Sequence, residues 1–273
     1  LGTEGTISFS GGSLQFTANN TTDYSARFSQ DVDQAYAIDT NGQNISLATG
    51  LTSAGGSLTK QGTGTLTLTG NNTYTGSTTI DAGTLQIGNG SGSASISNSS
   101  IGYLGFDPGS NGTASVSTGG TWTTSGDLFI GYAGNGNLTV SGGTVSNVNG
   151  VIGAIPGVDP TEDEPTSIAA SNGTVIISGG NWTNTGSLTV GLGGNGTLTV
   201  SGGNVSNVNG AIGFNSAAII SGGIWSNSGD LYIAANSNST LSITGGLVTV
   251  AGTLTKEPCL LYTSDAADEE DSV

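Results

Sequence analysis

Histidine and methionine are absent from the 273 residues, and lysine plus arginine number 3. Without histidine no Ser-His-Asp arrangement forms, however plentiful the serines. The lone cysteine, Cys259, excludes an internal disulfide, and without histidine no Cys/His zinc site can be assembled. Arg27, Lys60 and Lys256 are too few to neutralise a run of phosphates, which argues against nucleic-acid binding. No apolar stretch reaches the roughly 18 residues of a membrane-spanning helix. Aromatics make up 6% of the chain, and apolar residues come singly or in alternating pairs rather than in helical stripes. Almost no helix is expected, and no cofactor.

Glycine is abundant instead, with 49 residues, and it is periodic. A Gly-Gly pair recurs with first residues Gly119, Gly142, Gly179, Gly202, Gly222 and Gly245, at spacings of 23, 37, 23, 20 and 23. Aliphatic residues alternate just before four of these pairs, as in Leu138/Val140, Val175/Ile177, Leu198/Val200 and Leu241/Ile243. Three positions after the first Gly come Trp122, Val145, Trp182, Val205, Trp225 and Val248, and a further alternation follows at Leu128/Ile130, Leu188/Val190 and Leu231/Ile233. Such alternation marks half-buried strands. Three short apolar faces per repeat predict an all-β fold, a right-handed parallel β-helix with three short strands per rung. Six rungs from Asn111 to Thr255 and five before them give a rod about 50 Å long. Such a rod carries an unpaired strand edge at each end. Asn-Gly steps at Asn111, Asn135, Asn172 and Asn195 read as corners in which asparagine tolerates positive φ.

The units alternate in type. One reads Gly-Gly-x-Trp followed by Gly-[Asp/Ser]-Leu; the other reads Gly-Gly-x-Val-Ser-Asn-Val-Asn-Gly, at Gly142 to Gly150 and Gly202 to Gly210. Stacked with valine between them, the tryptophans suit a packed interior with each indole N–H bonded to a turn carbonyl. Facing outward, Trp122, Trp182 and Trp225 would form an aromatic stripe able to contact sugar rings. Interior packing is the preferred reading, although side-chain parity does not carry across the Gly-Gly turn.

The 37-residue spacing holds an insert, residues 155–171, with Pro156, Pro160 and Pro165 among Asp159, Glu162, Asp163 and Glu164. Proline cannot join a strand ladder, so the insert leaves it. It is either a ligand-binding or calcium loop or a solvated acidic excursion; the carboxylate spacing does not match an EF-hand, which favours the second. Asp127 and Asp230 share one repeat offset and invite a test as paired carboxylates, yet Ser187 stands there in the unit between. Bonding within a turn explains them better. The Gly-Asn-Gly steps at Gly134 and Gly194 lack the aspartate of calcium-binding rolls. Catalytic, metal and cofactor residues are therefore assigned to none.

The segment Gly62 to Gly90, Gly-Thr-Gly-Thr-Leu-Thr-Leu-Thr-Gly-Asn-Asn-Thr-Tyr-Thr-Gly-Ser-Thr-Thr-Ile-Asp-Ala-Gly-Thr-Leu-Gln-Ile-Gly-Asn-Gly, resembles the autotransporter-associated β-strand repeat of bacterial secreted passengers. The lead-in from Tyr36 to Leu51 and Gly55-Gly56-Ser57-Leu58-Thr59-Lys60 is similar to the segment that precedes this repeat, so the resemblance spans Asp23 to Gly90. It implies export to the cell surface or beyond, an outer-membrane β-barrel elsewhere in the full-length protein, and a passenger stalk serving adhesion to host or matrix glycans or proteins. The alternatives are a noncatalytic part of a polysaccharide-active enzyme and a surface protein with a C-terminal sorting anchor. The chain divides accordingly into N-terminal rungs (1–61), the repeat (62–100), Gly-Gly rungs (101–255) and a tail (256–273). Leu1 is not an initiator, so the chain is expected to be a fragment. The run Cys259 to Glu269 resembles a translated sequencing adapter, and setting Cys259 to Val273 aside removes the cysteine and five of the acidic residues.

Overall fold

The computed structural model describes residues 4–98, 100–156, 171–234 and 238–256. Asp159, Glu162, Asp163 and Glu164 lie outside the described residues, as does the stretch from Cys259 to Val273. Short strands wind into a β-solenoid in which every pair of named strands is parallel among the described residues. An 11-stranded sheet forms one face, and a 15-stranded sheet bends to form two more. Strands Asn135–Asn147 and Asn172–Asn184 each run through the bend and serve both faces. At one sheet spacing per rung, eleven strands stack to about 48 Å. The described helical content is the single 3-10 turn Ser25–Arg27.

The Gly-Gly position was where parity could not be followed, and the geometry explains why. In Asn135–Asn147 the pairing with Asn172–Asn184 shifts register on either side of Ser141, so the chain bends there without losing its ladder. Beyond the bend the inward residues are Ile96, Trp122, Val145, Trp182, Val205, Trp225 and Val248, one above another. All three indoles are 0% exposed.

Room for each indole comes from the opposite wall. Along the first face the inward residues alternate as Gly102, Leu128, Gly150, Leu188, Gly210 and Leu231. A Cβ on Gly150 would meet the Trp182 ring at 2.6 Å, and one on Gly210 would meet the Trp225 ring at 3.1 Å. Tryptophan thus leans into the space that glycine leaves in the valine rung beneath, and leucine holds that wall position in the rungs that carry tryptophan.

The indole N–H is held by an asparagine side chain of the rung beneath rather than by a turn carbonyl. Trp182 Nε1 donates to Asn147 Oδ1 and Trp225 Nε1 to Asn207 Oδ1, both at 2.7 Å. Asn147 Nδ2 in turn donates to Asn184 Oδ1, and Asn207 Nδ2 to Asn227 Oδ1. Trp122 is the exception: its Nε1 and Asn98 Oδ1 are both buried without a partner. The ladder register is kept here, Ile96 with Trp122 and Asn98 with Thr124, but Thr124 stands where Asn184 and Asn227 accept from the asparagine beneath, and Asn98 Nδ2 donates to the Gly76 carbonyl instead.

The Asn-Gly corners differ from expectation. Asn111, Asn135, Asn172 and Asn195 begin strands, and positive φ falls instead on Gly105, Gly131, Gly153 and Gly191. The asparagines bond rung to rung along the outside, with Nδ2 to Oδ1 distances of 2.8, 2.9 and 3.0 Å. The glycine after each is needed for close approach: a Cβ on Gly136 would strike Gly131 N.

Lys60 is buried among the N-terminal rungs. Its Nζ donates to the carbonyls of Gln61, Gly62 and Ala82 at 2.9, 2.7 and 2.9 Å, fastening two rungs at one corner. At the other described end the inward positions lose their cover. Ile243 and Leu254 are 52% and 58% exposed, whereas Ile220 and Leu231, one rung earlier, are fully buried.

Two predictions follow from this packing. Gly150→Ala should destabilise the fold by about 1–3 kcal/mol, and adding Trp182→Leu should cost less than the two single changes combined, because both act on one space. Equal additivity in denaturant unfolding would contradict the interlock. Burial lowers the Lys60 pKa to about 8, opposed by the charge of Asp39. Between that value and the unfolded value of about 10.4 the unfolded chain binds more protons, so Lys60 makes stability rise with pH across this window. Lys60→Met should remove that rise and weaken the fold by about 1–3 kcal/mol through the orphaned carbonyls. A variant whose pH profile parallels that of the parent would refute the assignment.

Candidate functional site

The residues that sequence reasoning proposed as ligand contacts are placed inside the coil. Trp122, Trp182 and Trp225 face the core and present no ring to solvent, because each is the large member of an alternating interior stack. Asp127 and Asp230 stand at one corner, four rungs apart. At about 4.8 Å per rung that is ~19 Å, beyond the separation of glycosidase carboxylate pairs. Both act between rungs rather than within a turn: Asn149 donates its backbone N–H and its Nδ2 to Asp127 Oδ1, and Thr253 N–H donates to Asp230 Oδ1. The intervening corner is closed in the same way by Asn149 Oδ1 and Asn209 Oδ1.

Two outward features remain. The first is a ladder of hydroxyls on the third face, in which Ser97, Thr123, Ser146, Thr183, Ser206, Ser226 and Thr249 stand in register. Beside its last rungs lies a shallow open groove of about 610 Å³, lined by Ser206, Ser226 and Thr249 together with Thr185, Val208 and Ser228. The groove has no ionisable side chain in its lining. It offers hydroxyl and amide groups to a neutral ligand and no acid or base for chemistry.

The second feature is aromatic, and sequence reasoning missed it. The outward position of the first face reads Thr59, Thr79, Tyr103, Phe129, Val151, Thr189, Ala211 and Tyr232 along the rod. Two consecutive rungs therefore place rings where their neighbours carry small or aliphatic residues. Phe106 and Tyr132, from the corners that follow, complete a cluster of four. Tyr103 and Phe129 lie parallel at 5.5 Å, Phe106 and Tyr132 lie parallel at 5.3 Å, and the two pairs meet edge to face at 4.8 to 5.2 Å. Phe106 is 36% exposed and the other three are half-buried. Burial raises the Tyr103 hydroxyl pKa, helped by Tyr132 and by the carboxylate of Asp127. Each ring lies 22 or more residues from its partner on the next rung, so only the rung register brings them together.

Among the described residues no group of three His, Cys, Asp or Glu converges as a metal site, and no helix is long and apolar enough to cross a membrane.

Comparison with known proteins places the coil. Residues 58–87 match the passenger-associated-transport-repeat, a stretch that includes Lys60 and the carbonyls it binds. Over 191 residues, 66% of this chain, the sequence is 34% identical to the adhesin BmaC autotransporter of Brucella suis biovar 1 (strain 1330). The chain spans 5% of that relative's length. No solved structure matches. In its repeat, its parallel coil and this relative, the chain is similar to the passenger segments of autotransporters.

Proposed function

We propose that this segment is a noncatalytic stalk of a surface-displayed passenger, which holds the adhesive parts of a longer protein away from the outer membrane. The observation that carries the reading is the internal use of the polar corners. Asparagine and aspartate side chains that would serve a binding or catalytic site instead join rung to rung, as at Asn111 to Asn195 and Asp127 to Asp230. A rod built this way gains length by adding rungs and asks little of any one of them. The lack of disulfides suits a chain that crosses an envelope before it folds. The relative is named an adhesin, which agrees with display for adhesion.

A modular stalk tolerates removal of whole rungs. Excising residues 179–221, one Trp rung and one Val rung, joins Ser178 to Gly222 and restores the Ser-Gly-Gly junction found at Gly142, Gly179, Gly202 and Gly222. In the full-length protein at the cell surface, export and cell binding should both persist, with reach shortened by about 10 Å. Surface display that persists while adhesion is abolished would show that these rungs make the adhesive contact themselves.

A further inference from the structure

The aromatic cluster departs from the repeat at a point where the surrounding charge is of one sign. Asp107 follows Phe106 directly in the chain, and Asp127 stands two residues before Phe129. Asp81, at the corresponding corner one rung earlier, has Oδ1 buried without a partner. Burial and the neighbouring Asp107 hold the Asp81 carboxyl above its usual range, the mark of a carboxylate that an arriving cation would stabilise. The chain itself offers little to meet it. No lysine, arginine or histidine occurs from Ile101 to Leu254, the formal net charge is −16, and Lys60 is committed to its three carbonyls.

Ring faces and carboxylates side by side suit one chemistry in particular. A guanidinium is planar, stacks on an aromatic face and donates from its edge to a carboxylate with full charge attraction, whereas a neutral sugar can give the acidic rim hydroxyl hydrogen bonds but no countercharge. We propose that Tyr103, Phe106, Phe129 and Tyr132, with Asp107 and the Oδ2 of Asp127, whose Oδ1 is engaged by Asn149, beside them, form a docking site for an arginine side chain on a basic segment of a partner polypeptide. The partner is identified by its charge: on this face the chain presents a patch that is both apolar and acidic. The site lies outside residues 179–221, so its fate is independent of the stalk reading.

The test is a titration of the whole chain with a short Gly-Ser peptide bearing arginines, alongside counterparts in which lysine or the neutral isostere citrulline replaces arginine. Calorimetry should show the arginine peptide binding about tenfold more tightly than the citrulline peptide, with lysine between them. Phe129→Leu and Tyr132→Leu keep apolar bulk and should each weaken the arginine peptide by about fivefold. Asp107→Asn should do the same and flatten the salt dependence. Asp230→Asn removes the same charge far along the rod, keeps an acceptor for Thr253 N–H, and should leave binding unchanged. The peptide series on the unaltered chain stands even where a ring variant fails to fold. Equal binding of the citrulline peptide would overturn the proposal. So would arginine binding insensitive to both ring changes, which would be charge attraction alone. Binding of a neutral oligosaccharide at the cluster in place of the peptide would overturn it as well.

Discussion

The structure depends on an interlock between successive rungs. Each Trp182- or Trp225-type indole needs three things from the rung beneath and the wall opposite: a valine under its ring, an asparagine oxygen for its N–H, and a glycine to leave it room. Asn147 and Gly150 meet these needs for Trp182, and Asn207 and Gly210 meet them for Trp225. All of them belong to the single motif Gly-Gly-x-Val-Ser-Asn-Val-Asn-Gly, whose other asparagine closes the outer corner by accepting from the next rung. The repeating unit is therefore a pair of rungs, one presenting a socket and the next filling it. An isolated rung would leave buried polar groups unsatisfied, which costs more than a missing hydrogen bond gains. Register is fixed by this chemistry as much as by apolar burial.

Most of the fold was legible because a solenoid states its rule many times. The spacing of the Gly-Gly pairs, the alternating aliphatics and the Trp/Val alternation each survive small irregularities, and together they give the three faces and the eleven rungs. What was not legible fails for particular reasons. Side-chain parity is lost at the bend because the ladder shifts register beside Ser141, a geometric event with no residue signature. The Asn-Gly steps were misread because asparagine and glycine both tolerate positive φ; here a glycine next to the end of the preceding strand takes the left-handed conformation, and the asparagine is free to begin the next. The signal for the outward asparagine ladder was present, as four asparagines at one offset, but was attributed to turns.

The aromatic cluster was illegible for the opposite reason. As a cluster it occurs once: its four rings are scattered from Tyr103 to Tyr132, and where the same offsets carry rings again, at Phe214 and Tyr232, each rung carries one ring rather than two. In a repetitive protein the repeats explain stability, and a departure from them is where specific recognition can be built without disturbing the core. The cluster sits on the outer side of the first face, while the interior of the same rungs keeps the glycine-leucine alternation intact. Lys60 is a departure of another kind, a buried cation that ties carbonyls of adjacent rungs within the transport repeat. One departure faces outward and the other inward, so a recognition element and a fastening element coexist on one coil.

The central claim is that parallel rungs stack in one continuous register, across the 37-residue spacing as well as the regular ones. Spin labels on cysteines introduced at Ser97 and Thr249, with Cys259 replaced, report it most directly. Six rung intervals separate these outward positions, so the stack predicts a narrow distance distribution centred near 29 Å, allowing for the labels' own reach. A broad distribution, or one centred well beyond that distance, would mean that the ladder breaks between Ser97 and Thr249 and that the rungs do not form one rod.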